Sequence, residues 1–245
     1  MTKLSTLTLA AALSLSFSAF SHAEDIGLAT GYPPYQFSEN GDIVGFDVDV
    51  TKAVFKYLDK EYTLHQYDWD NVVSLLRFGE LDMAMGMEQT TIRRQYFDFS
   101  SPYYNRVTTL FVLDNESSPE SVRGLVGKRI SGDRHSVLEA HLQDIGLHKA
   151  IRINQASSKA EAMNQLAIGE VEAVIMPEAV GRYLAKQLDI NVRILWQPEI
   201  KVPVGFSVKA GNDELLNQLN EALEALENNG ELDQIRRRWG IQHST

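Results

Sequence analysis

The sequence predicts an α/β protein built as two lobes, with mixed, largely parallel sheets joined by a two-strand hinge, and three observations point there. Strand and helix signals alternate along the chain from Glu24 onward, the pattern that places helices on the faces of a sheet. One segment repeats: Leu76-x-x-Gly79-Glu80-Leu81-Asp82-x-Ala84-Met85 returns as Leu166-x-x-Gly169-Glu170-Val171-Glu172-x-Val174-Ile175. Each copy reads as helix, glycine stop and buried strand, so two similar lobes are the natural reading. Two apolar runs, Val107 to Leu113 and Val202 to Val208, are placed to cross between lobes, which is hinge architecture.

The first residues read as an address label rather than as fold. Lys3 gives a positive start, Leu4 to Phe20 is an apolar and Ser/Ala stretch, and Ser21-His22-Ala23 fits a small-x-small cleavage site, so 1–23 is assigned to a signal peptide. No later window approaches the roughly 20 apolar residues that a membrane span requires. Ile26 to Thr30 is then a short strand broken by Gly31-Tyr32-Pro33-Pro34. Asp47 to Leu58 carries Val50, Ala53, Val54, Tyr57 and Leu58 on one helical stripe, with Asp47 as its cap. Trp69 to Phe78 repeats the pattern, with Gly79 as the stop. Ser136 caps a helix over Val137 to Leu142. In the tail, Leu216, Leu219, Leu223 and Leu226 form a stripe ended by Asn229-Gly230, and a shorter helix bearing Ile235 and Trp239 follows. The expected division is 24–107 with 204–245 as a discontinuous first lobe and 108–203 as the second.

The chain has no cysteine, which excludes thiol nucleophiles, thiolate metal sites, disulfides and an acylated cysteine anchor. Its formal net charge is −10, and an acidic surface argues against nucleic acid or anionic membrane as a partner. The basic run Arg236-Arg237-Arg238 reads as a solvated helix end that complements the dipole. His65, His135, His141, His148 and His243 show no ligand spacing, so no metal or other cofactor is expected.

Seven segments then carry a family resemblance: Tyr32-Pro33-Pro34-Tyr35-Gln36-Phe37, Gly45-Phe46-Asp47-Val48-Asp49-Val50, Asp68-Trp69-Asp70, Gly79-Glu80-Leu81-Asp82, Gly86-Met87, Thr90-x-x-Arg93 and Asp98-Phe99-Ser100-Ser101-Pro102-Tyr103-Tyr104. In order and spacing they resemble the family 3 extracellular solute-binding proteins of polar amino-acid ABC transporters, over nearly the whole mature chain. The resemblance implies a two-lobed type II periplasmic binding protein, exported, not lipidated and monomeric. It would close on an amino acid or related carboxylate and be read by an inner-membrane ABC permease or a sensor.

A free amino acid needs a planar cation, an acceptor and a shaped wall. By resemblance Arg93 is the cation, able to make two parallel bonds to a carboxylate, and Thr90 opens a helix whose N–H groups could share the anion. Without the resemblance, Arg93 and Arg94 would better suit a helix surface, with Thr90 only its cap. Tyr32 and Trp69 are the implied aromatic wall, with Gly86 and Met87 beside it.

The departures concern the ammonium end. Glu88 stands where such proteins often place a hydroxyl, Pro177 and then Glu178 where an aspartate usually receives the ammonium, and Ala29 where several basic-amino-acid binders carry aspartate. Either Glu88 or Glu178 could supply the missing negative charge, with Glu88 favoured, and the two acids could equally suit a ligand with an extra cationic group. Arg134-His135-Ser136 replaces a Ser-Gly-Thr segment, so Arg134 could add a cation and Ser136 could leave N–H groups facing the cleft. A binding protein is favoured over an enzyme. The alternatives are a lyase resembling cyclohexadienyl dehydratase, with Glu88 or Glu178 as general acid, and an orphan sensory receptor.

Overall fold

A computed structural model describes residues 23–132 and 137–241. The expected leader, apart from Ala23, and both Arg134 and Ser136 lie outside them.

The chain opens with β1 (Glu24–Ala29), whose Ile26 and Leu28 are fully buried. A hairpin of β2 (Phe37–Glu39) and β3 (Asp42–Val44) leads into α1 (Phe46–Leu58). Next come β4 (Tyr62–Tyr67), α2 (Trp69–Phe78) and β5 (Met83–Glu88), then one 3-10 turn at Arg93–Gln95. Short strands β6 (Phe97–Phe99) and β7 (Tyr104–Arg106) precede β8 (Thr108–Leu113). The second unit continues with β9 (Arg129–Gly132), α3 (Val137–Asp144), β10 (Arg152–Gln155) and α4 (Lys159–Ala167). It ends with β11 (Ala173–Pro177), α5 (Glu178–Gln187) and β12 (Val192–Trp196). The return strand β13 (Val202–Lys209) and helices α6 (Asp213–Asn228) and α7 (Glu231–Trp239) close the chain.

Two main sheets result. The first runs β4-β1-β5-β13-β6, with β7 also on β13, and the second runs β10-β9-β11-β8-β12. In each, three neighbouring strands are parallel (β4-β1-β5 and β10-β9-β11), while β13 and β8 pair antiparallel to their neighbours. The entering strand β8 and the returning strand β13 therefore make both sheets more mixed than the alternation of signals suggests.

The repeated segment folds as expected in both units. Gly79 caps α2 in the left-handed conformation, and Gly169, with φ 74, follows α4. The acidic turns then feed β5 and β11.

The two apolar runs do not themselves cross. Thr108–Leu113 belongs wholly to the second sheet and Val202–Lys209 wholly to the first, so the chain passes between them at Val107 and at residues 197–201. Apolar patterning marks strands buried in sheets, and the crossing points are where that pattern stops.

Two local readings change. Asp47 does not cap α1: Gly45 takes that position at φ 137, and Asp47 is fully buried within the first turn. Gly45 is required there, because a Cβ would lie 2.1 Å from the Tyr35 carbonyl oxygen. Arg236 is not solvated but 4% exposed, donating to the Tyr103 carbonyl, Glu227 and Asp233.

Candidate functional site

Strands β4, β1 and β5 run parallel, and the chain visits β4 on one side of β1 before β5 on the other. Strand order thus reverses around β1, and the crevice beyond the carboxyl ends at such a switch point is where open α/β sheets take ligands. The loop after β1 carries Tyr32, α2 after β4 begins at Trp69, and β5 ends in Gly86, Met87 and Glu88, with Thr90 and Arg93 just beyond. Seven of the predicted residues therefore fall at one sheet end because each closes or follows a parallel strand.

Arg93 sits on the 3-10 turn rather than on a full helix, and Thr90 Oγ1 accepts its backbone N–H at 3.3 Å. Its guanidinium lies over the Trp69 ring at 5.6 Å, donates to the Glu88 carbonyl at 3.3 Å and stands 3.5 Å from Glu88 Oε2. The side chain is about a quarter exposed, leaving a face for an incoming anion. Burial pulls its pKa below the ordinary guanidinium value; the Glu88 carboxylate opposes this and neighbouring Arg106 adds to it.

Arg106 is the residue that sequence reasoning missed. It ends β7 and is 6% exposed. Its guanidinium lies 5.1 Å from the Tyr32 ring centroid, 4.9 Å from that of Tyr35 and 5.5 Å from that of Tyr104. Nη1 is 3.4 Å from Glu88 Oε1, and Nη2 donates to the Gly86 carbonyl at 3.3 Å and to the Tyr104 hydroxyl. Its Nε–H has no acceptor among the described residues. A signal was there to find: Arg106 is the one charged residue in the segment from Tyr103 to Leu113, and buried cations need partners.

Beneath the crevice a polar network ties the strand ends together. Gln36 Oε1 accepts the Ala29 N–H at 2.6 Å, and Gln36 Nε2 donates to Asp47 Oδ2 at 2.6 Å and to the Met85 carbonyl at 3.2 Å. Tyr103 donates its hydroxyl to Asp47 Oδ1 at 3.0 Å and accepts the Gly86 N–H at 2.9 Å. Burial pushes the Asp47 carboxyl up to about 6, with Arg106, Gln36 and the tyrosine hydroxyls opposing. The network explains the glycine: a Cβ on Gly86, at φ 68, would lie 2.2 Å from both Asp47 Oδ2 and Gln36 Nε2.

Other expected residues take roles different from those expected. The Met87 side chain is fully buried, packed with Val72, Leu76 and Phe97 beneath Trp69, and so presents no side chain to the crevice. Glu88, favoured as the free acceptor for a ligand ammonium, is engaged by two guanidiniums. Glu178 starts α5 and pairs with Arg182 at 2.8 Å. It lines a crevice of about 80 Å³ with Tyr35, Asn105, Val107 and Lys201, and its ion pair is with Arg182 rather than Arg93. Arg134 and Ser136, just past the carboxyl end of β9, lie outside the described residues.

A family model for bacterial extracellular solute-binding proteins, family 3, matches residues 25–242. ABC transporter arginine-binding protein 1 of Escherichia coli strain K12 is 30% identical over 242 residues, covering 95% of this chain and 98% of that protein. L-cystine-binding protein TcyJ of the same strain is 23% identical over 220 residues, covering 87% and 81%. Among solved structures, an ancestral arginine-binding protein bound to arginine is similar at a TM-score of 0.75 and 30% identity, covering 89% of this chain and 97% of that one.

Proposed function

Since this chain belongs to the bacterial extracellular solute-binding proteins of family 3, we propose that it captures an amino acid or amino-acid-like carboxylate for uptake by an ABC-type transporter. The capturing surface is the switch-point crevice on a first lobe of 24–107 and 204–245, and a second lobe of 108–203 closes over it. The protein works as a monomer in a Gram-negative periplasm, delivering its ligand to an inner-membrane permease.

One observation carries the reading: Arg93 is held between the Trp69 ring and Glu88 with about a quarter of its side chain exposed. A guanidinium in that position offers a carboxylate paired, charge-assisted hydrogen bonds of about 1.5–3 kcal/mol each, a large share of the roughly 8 kcal/mol in micromolar binding. Tyr32, Trp69 and Thr90 complete the wall around it. The relatives above are named as binding proteins, not enzymes, and both candidate acids of a lyase, Glu88 and Glu178, are ion-paired to arginines.

A thermal-shift screen against amino acids, dicarboxylates and small peptides tests this. A ligand at a hundred times its Kd stabilises by about 2.7 kcal/mol, and Arg93→Ala is expected to abolish that shift. A shift that survives Arg93→Ala, or no shift with any of these compounds, sinks the reading.

A further inference from the structure

We propose that Arg106 is a tethered cation that already fills the aromatic cage beside Glu88, so that the site selects carboxylate ligands whose side chain carries no positive charge. This rests on the capture reading above and names the ligand class for it.

A ligand bearing a guanidinium or ammonium side chain needs an aromatic face to lie against and an anion to pair with. In this crevice Arg93 lies over the Trp69 ring, while the tyrosine faces and a Glu88 oxygen belong to Arg106. Its guanidinium stands within 5.5 Å of three tyrosine ring centroids, Tyr32, Tyr35 and Tyr104, and within 3.4 Å of a Glu88 oxygen. The other Glu88 oxygen faces Arg93. Asp47, an acid beneath the crevice, is fully buried and bonded to Gln36 and Tyr103. A cationic side chain entering here would add a third positive group beside two guanidiniums that share one carboxylate, in a place where little water screens them. The spare Nε–H of Arg106 adds a donor without an acceptor among the described residues, and another donor would not satisfy it. A neutral or acidic side chain meets none of these penalties. The reading runs against the names of the relatives, several of which are called arginine-binding.

Calorimetric titration of the wild type with L-glutamine, L-glutamate, L-arginine and L-lysine tests the selectivity, with Arg106→Ala as the emptied cage. The wild type is expected to bind glutamine or glutamate at least tenfold more tightly than arginine or lysine, and Arg106→Ala to shrink or invert that ratio. In parallel, millimolar ethylguanidinium should raise the Tm of Arg106→Ala and leave the wild type unmoved. Arg106→Gln carries both arms if the alanine variant does not fold. Wild-type preference for arginine or lysine overturns the inference while amino-acid capture stands. Failure of all four amino acids in the wild type overturns the stated ligand class, and if the wider screen also gives nothing, capture falls with it. Absence of ethylguanidinium rescue overturns the cage assignment whatever the amino acids do.

Discussion

Arg93 and Arg106 grip one carboxylate from opposite sides: Nη1 of Arg93 lies 3.5 Å from Glu88 Oε2, and Nη1 of Arg106 lies 3.4 Å from Glu88 Oε1. Glu88 thus balances a cation on the crevice surface and one buried below it. Glu88→Gln leaves the two guanidiniums facing each other. Removing one member of a fully buried pair costs about 3–5 kcal/mol; with Glu88 about a quarter exposed, the expected loss is about 1–3 kcal/mol. Urea unfolding at neutral pH measures it, and a loss below about 0.5 kcal/mol would mean that the pairing contributes nothing.

Asp47 gives the fold a predictable pH response. Burial raises its carboxyl from 3.8 to about 6, so between those values the folded state holds a proton that the unfolded state has released. Its contribution is fully present below pH 3.8 and is lost as pH rises through about 6. A shift of this size corresponds to about 3 kcal/mol. Asp47→Asn removes the response, so stability relative to wild type should move in the variant's favour by about 2–3 kcal/mol between pH 4 and 7. Denaturant midpoints at several pH values report the difference, and parallel profiles for the two proteins would refute the assignment.

The parts of this molecule visible in its sequence are those governed by short-range pattern. The repeated Leu-x-x-Gly segments, the stripes of α1, α2 and α6 and the glycine stops follow from periodicity and backbone geometry. Tyr32, Trp69, Glu88 and Arg93 meet at one sheet end because each ends or follows a parallel strand. What stayed hidden depends on contacts distant in sequence. Arg106 reaches Tyr32 and Glu88 across the first sheet, Asp47 reaches Tyr103, and Arg236 reaches the Tyr103 carbonyl from the far end of the chain. No local periodicity encodes which buried polar group finds which partner. A charge within an apolar run, as at Arg106, says only that a partner must exist.

Gly86 joins that network to the crevice through two backbone atoms: its N–H donates to Tyr103 and its carbonyl accepts from Arg106. Gly86→Ala would place a methyl 2.2 Å from Asp47 Oδ2 and Gln36 Nε2, at a left-handed φ of 68. Neither atom belongs to a free side-chain end, since both are hydrogen-bonded to each other in the core. Strain at φ and overpacking each cost about 1–3 kcal/mol, so a destabilisation of about 2–5 kcal/mol is expected from chemical unfolding. A variant within about 0.5 kcal/mol of wild type would show that the strand end shifts freely.

The tail helices offer a paired comparison between adjacent arginines of the basic run. Arg236 is 4% exposed; its Nε and Nη2 donate to the Tyr103 carbonyl at 3.2 and 3.0 Å, and its Nη1 donates to Glu227 and Asp233 at 3.0 and 2.8 Å. It therefore fastens α6 and α7 to the chain segment that also supplies the Tyr103 hydroxyl to Asp47. Arg236→Ala leaves that carbonyl without its donors and opens a cavity, while Glu227 and Asp233, each about two-fifths exposed, turn to water at little cost. The expected loss is about 2–4 kcal/mol. Arg237, next in sequence and exposed, should lose no more than about 0.5 kcal/mol on the same substitution. Thermal melts of the two variants side by side decide it, and equal effects would mean that the Arg236 contacts do not hold the tail to the sheet.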